Sequence, residues 1–82
     1  MDPIAMPGPA RLKVIDPLLT MGPSAAAEVL SASQSVLRIR VPRRVLAGSK
    51  VQIRTEQRIL FGEVLSAAAM PAGFEIVVDV QR

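Results

Sequence analysis

Apolar and polar positions alternate with a period of two along most of the chain, the spacing that puts successive side chains on opposite faces of a strand. The pattern is sharpest in two segments, Val36–Val41 and Lys50–Arg54. There Leu37, Ile39, Val41, Val51 and Ile53 point one way, and Arg38, Arg40, Lys50, Gln52 and Arg54 point the other. One face is core and the other is cationic. The connection between them, with Pro42-Arg43-Arg44 and Ala47-Gly48-Ser49, reads as a turn, so the two segments are expected to lie side by side. That pairing would set Arg38 and Arg40 beside Lys50, Gln52 and Arg54, at a cost from like charges.

The remaining segments extend the same plan. Residues 1–10 carry three prolines and a glycine and read as a flexible lead-in, and residues 11–82 as a single domain. Residues 10–15 alternate as a first strand ended by Asp16-Pro17, with a short continuation over 18–21 before Gly22-Pro23-Ser24. Residues 25–30 are rich in alanine, which favours helix, but the space before the serine-rich stretch allows only about two helical turns, so a strand is expected. Residues 58–67 form a long apolar strand with a bend or bulge expected at Gly62, and residues 74–81 close the chain with Phe74, Ile76, Val78 and Val80 facing the core. Short strands at roughly ten-residue spacing predict a small antiparallel β-barrel or sandwich.

Composition narrows the chemistry. The chain has 82 residues, 50% hydrophobic but only 2% aromatic, so its core must be built from Val, Leu and Ile and will be thin. Self-association would relieve that thinness and cover exposed strand edges. With no cysteine or histidine, disulfides, thiolate nucleophiles, imidazole bases and zinc sites are excluded, and the seven acids are scattered without metal-loop spacing, so no metal is expected. Tyrosine is also absent, leaving little for general acid–base work, and a non-enzymatic chain is expected. No secretory signal or bilayer-length apolar run is visible, and a cytoplasmic protein with no membrane contact is expected.

The net charge is +3, concentrated in seven cations between Arg38 and Arg58 that share their stretch with one acid, Glu56. Arginine forks suit phosphate or carboxylate. Alternatively the face is a solvated one, with Glu63, Glu75 and Asp79 arriving from neighbouring strands as counter-charges. Nucleic acid is disfavoured, because single-strand binders need aromatic platforms and both Phe61 and Phe74 read as core.

The segment SASQSVLRIRVP, followed by GSKVQIR, ILFGEV and GFEIVVDV, resembles the PilZ domain family over about residues 11–80. The resemblance implies a six-stranded antiparallel β-barrel, often a receptor for cyclic di-GMP. Ser33 matches the serine of the family's Asp/Asn-x-Ser-x-x-Gly motif, and Leu37-Arg38-Ile39-Arg40 the strand it runs into. Ser31 stands at the acidic or amide position, Val36 and Val77 stand where glycines are usual, and residues 1–10 have no arginine to supply the family's Arg-x-x-x-Arg clamp. The resemblance thus implies a degenerate member without bound cofactor, an adaptor acting through a protein partner or its own copy, with Ser31, Ser33, Arg38, Arg40, Arg43 and Arg44 as candidate contacts. The alternatives are a receptor with weak or altered cyclic di-GMP binding through the same arginines, and a small basic nucleic-acid-binding barrel.

Overall fold

The computed structural model describes residues 5–16 and 24–81. The strand continuation expected over 18–21 lies outside them. Six strands account for most of the described residues: β1 (Gly8–Asp16), β2 (Ala25–Ser33), β3 (Val36–Val41), β4 (Lys50–Arg54), β5 (Ile59–Met70) and β6 (Gly73–Gln81). They close into an antiparallel barrel in the order β1-β2-β3-β6-β5-β4, with β4 returning to β1. The barrel expected from strand cadence is therefore present. β3 and β4 match the sequence reading residue for residue, and β1 starts at Gly8, ahead of the expected Ala10.

β2 is a strand despite its alanines because both its edges are used. Gly8–Leu12 of β1 pairs along one side and β3 along the other, and two ladders outweigh a helical preference of tenths of a kcal/mol per residue. Closure depends on three register shifts, at Ile15 in β1, Leu30 in β2 and Leu65 in β5. An extra residue on one strand bends it and increases its twist, which lets six short strands meet. No bulge falls at Gly62, which stays in register with both Val51 and Val80; the register shift of β5 comes at Leu65. Its glycine is needed for close approach, since a Cβ at Gly62 would stand 2.6 Å from the Asp79 carbonyl oxygen and 2.6 Å from Val78 Cγ1.

The interior holds Leu37, Ile39, Ile53, Ile76, Val29, Val51, Val64 and Val78, all fully buried. Each such side chain stabilises the fold by about 1.5–3 kcal/mol relative to exposure. Leu12 and Val80 complete the layer, Val45 plugs it from the β3–β4 connection, and Phe74 packs half-buried against it. Phe61 does not. It points outward and is 50% exposed, a correction to its reading as core. The phase of β5 explains this: Leu60, Gly62 and Val64 take the inner positions, which leaves Ile59 and Phe61 outside.

The expected β3–β4 hairpin is also corrected. β3 lies between β2 and β6, and β4 between β1 and β5, so the two strands stand on opposite sides of the barrel. A strand has two edges. Those of β3 are taken by β2, through a two-residue turn at Gln34-Ser35, and by β6; those of β4 are taken by β5 and β1.

Candidate functional site

The surface formed by residues 31–44 lies on the end of β2, on β3 and on the loop after β3, with β6 alongside β3. The shift at Leu30 sets Ser31 opposite Arg38, and Ser33 pairs with Val36 at the hairpin end. Gln34 turns the chain with a left-handed φ of 50°. The hairpin tip is tied to β6, where Val80 N–H donates to the Ser35 carbonyl at 2.7 Å and Ser35 Oγ donates to Asp79 Oδ1 at 3.4 Å. Ser31, Ser33, Arg38 and Arg40 all reach solvent, as do Arg43 and Arg44 in the loop after β3.

These six residues do not converge on one point. Ser33 and Arg43 lie at opposite ends of β3, roughly 20 Å apart at about 3.3 Å per residue. The cations at the centre are also engaged. Arg38 donates from two guanidinium nitrogens to Glu75 Oε2, at 2.6 and 3.1 Å, and Arg40 is ion-paired with Glu28. Glu28 and Glu75 are the residues directly opposite Arg40 on its two neighbouring strands. The counter-charge reading therefore holds at Glu75, with Glu28 as a partner the sequence did not single out. A shallow hollow of about 220 Å³ beside Arg40 contains the Glu28–Arg40 pair, so its charge is compensated.

No family model matches the chain, and comparison with curated proteins finds no match.

The opposite face, across β1, β4 and β5, has a different electrostatic character. Lys50 pairs with Glu63, the second place where the expected counter-charges appear. Beyond that pair, register puts Arg11 opposite Arg54 and Lys13 opposite Gln52. None of Arg11, Lys13 and Arg54 has an ion pair among the described residues. Together with Ser24 and Gln52 they line a concavity of about 400 Å³. Arg11 is oriented within it, donating to the Ser24 carbonyl at 2.7 Å and from Nε to Ser24 Oγ at 3.0 Å. Phe61 stands directly opposite Gln52 on β5. Apart from Arg54 and Gln52, noted as part of a cationic strand face, sequence reasoning missed this group, because finding it requires knowing that β1 and β4 pair. The available signal was negative: no acid occurs between Pro3 and Ile15 or between Lys50 and Thr55.

A third feature is an arm. β4 accompanies β5 only as far as Glu63, and Gly48 and Ser49 extend the pairing to Val64. From residue 65 to 70, β5 is hydrogen-bonded to β6 alone among the described residues. This segment, Leu-Ser-Ala-Ala-Ala-Met, is uncharged, and Leu65 is 51% exposed. Unpaired strand edges of this kind accept another strand. Among the described residues no group of three or more acidic side chains comes together to hold a metal ion.

Proposed function

We propose that this chain is a non-enzymatic binding module, a PilZ-like barrel acting as an adaptor through protein contacts and independent of cyclic di-GMP. The observation that supports it most is the edge of the arm at residues 65–70, which no strand pairs with among the described residues. A second copy of the chain suits that edge. Two chains of net charge +3 repel over much of their surface, but the arm carries no charge, and antiparallel self-pairing sets small alanines against one another between the two Leu65 side chains. The same pairing would hide the exposed row of backbone donors and acceptors.

The engagement of Arg38 by Glu75 and of Arg40 by Glu28 supports the second half of the proposal. A dinucleotide arriving at this face would have to displace two carboxylates before its phosphates could reach either guanidinium. Val36 further adds bulk where a glycine backbone would allow approach.

Sedimentation velocity tests the contact. A dimer is expected at tens of micromolar, and Ala68→Lys, an exposed position on the arm, should return it to monomer, with a melting temperature equal to that of wild type diluted until it too is monomeric. A wild-type chain that stays monomeric throughout removes self-contact. Calorimetric titration with cyclic di-GMP should show no heat of binding; micromolar affinity abolished by Arg40→Ala would overturn the adaptor reading.

A further inference from the structure

On the strands of this barrel, three outward cations have carboxylate partners: Arg38 with Glu75, Arg40 with Glu28, Lys50 with Glu63. The three other strand cations sit together on the β1–β4 seam, past the Lys50–Glu63 pair. Arg11, Lys13 and Arg54 share one concavity with no ion pair among the described residues, and residues 17–23, which follow β1, contain no acid in their sequence. Arg11 and Arg54 are also direct cross-strand partners, an arrangement that destabilises a sheet. An exposed aromatic ring lies beside them. Phe61 is one strand away from Gln52 and two from Lys13, about 5 and 10 Å at ordinary strand spacing.

We propose that this face is a short binding site for single-stranded nucleic acid. Arg11, Lys13 and Arg54 hold phosphate oxygens, and Phe61 stacks on one base. A cationic groove that tracks the backbone beside an aromatic platform is the combination such binding uses. Arg11 is already oriented for it, because two of its five donors are spent on Ser24 and the others remain for an oxyanion. Gln52, between Lys13 and Phe61, offers both an amide donor and an acceptor to a base edge or sugar. An acidic protein would use the cations and leave the ring idle. Duplex DNA would do the same, since its bases are already stacked. With one ring and three cations the site spans few nucleotides, and its affinity is modest and steeply salt-dependent.

The site lies away from the arm, so the test is separate from that of self-contact. Fluorescence anisotropy with a labelled oligothymidylate should show binding at low salt whose logarithm falls against log salt with a slope of about −2, from about 0.7 for each of three phosphate contacts. Arg54→Gln should flatten that slope by about 0.7, and Phe61→Ala should weaken binding about tenfold while leaving the slope unchanged. Arg43→Gln combined with Arg44→Gln, outside the face, should leave the affinity within about twofold. The proposal is overturned by absence of binding at low salt, by a duplex of equal length binding as tightly, by unchanged affinity in Phe61→Ala or Arg54→Gln, or by polyglutamate competing as well as unlabelled oligothymidylate.

Discussion

Replacing Arg54 with glutamine should stabilise the fold, most of all at low salt. Arg54 faces Arg11 directly across β1 and β4, with Lys13 one step further along the same outer face. With the charged heads splayed to about 7 Å, the Arg11–Arg54 repulsion in water is about 0.6 kcal/mol, and Lys13 at about 9 Å adds roughly 0.5. A Debye length of about 30 Å at 10 mM salt leaves most of this, roughly 0.8 kcal/mol, whereas about 8 Å at 150 mM leaves roughly 0.4. That range agrees with the 0.2–1 kcal/mol typical of cross-strand pairs. For a domain of this size the gain corresponds to about 3–6 °C in melting temperature at 10 mM and about 2–3 °C at 150 mM. Glutamine keeps much of the aliphatic stem over Ile59, the residue opposite on β5, so the comparison isolates the charge. Thermal melts followed by circular dichroism at the two salt concentrations provide the measurement. A destabilised variant, or a gain that persists undiminished at molar salt, would refute the electrostatic reasoning.

Two glycine substitutions probe closure of the barrel. Gly62→Ala places a methyl group 2.6 Å from both the Asp79 carbonyl oxygen and Val78 Cγ1, and should cost about 1–3 kcal/mol, visible as a lowered denaturation midpoint with an unchanged denaturant slope. Gly73→Ala combines a φ of 134° with a Cβ 2.5 Å from the Val41 carbonyl oxygen, and should cost about 2–3 kcal/mol; a melt within a degree of wild type would refute this account of how closely Gly73 approaches β3.

The sequence made the strands legible and their neighbours illegible, for a physical reason. Alternation reports which side of a strand is buried, so Val36–Val41 and Lys50–Arg54 could be bounded to the residue. Partner choice depends instead on which edges remain after the tightest turns have formed. The turns at Gln34-Ser35, at residues 55–58 and at Pro71-Ala72 are all shorter than the eight-residue connection from Pro42 to Ser49. They commit one edge of β3 to β2 and one edge of β4 to β5, and closure of the barrel supplies the others. Phe61 was misplaced for a related reason. In an apolar run such as Ile59-Leu60-Phe61-Gly62, size suggests that phenylalanine is inside, but the inner position goes to the glycine, because β6 approaches too closely there for any side chain.

Separating β3 from β4 changes what the basic stretch can do. As one hairpin, Arg38, Arg40, Lys50 and Arg54 would make a single cationic patch in which the like charges of both strands add. On opposite sides of the barrel they meet different neighbours. β3 lies between two strands that carry Glu28 and Glu75, so its arginines are neutralised in place. β4 lies between Glu63, which satisfies Lys50, and the acid-free start of β1, which brings Arg11 and Lys13 to Arg54. The excess positive charge of the strands therefore collects on the β1–β4 seam, beside the one aromatic ring that the phase of β5 turns outward. A face that only needed to be solvated would be more stable with an acid at Arg54 and a polar residue at Phe61. The barrel carries both costs within about 10 Å of each other, and a ligand with phosphates and an unstacked base would offset them together.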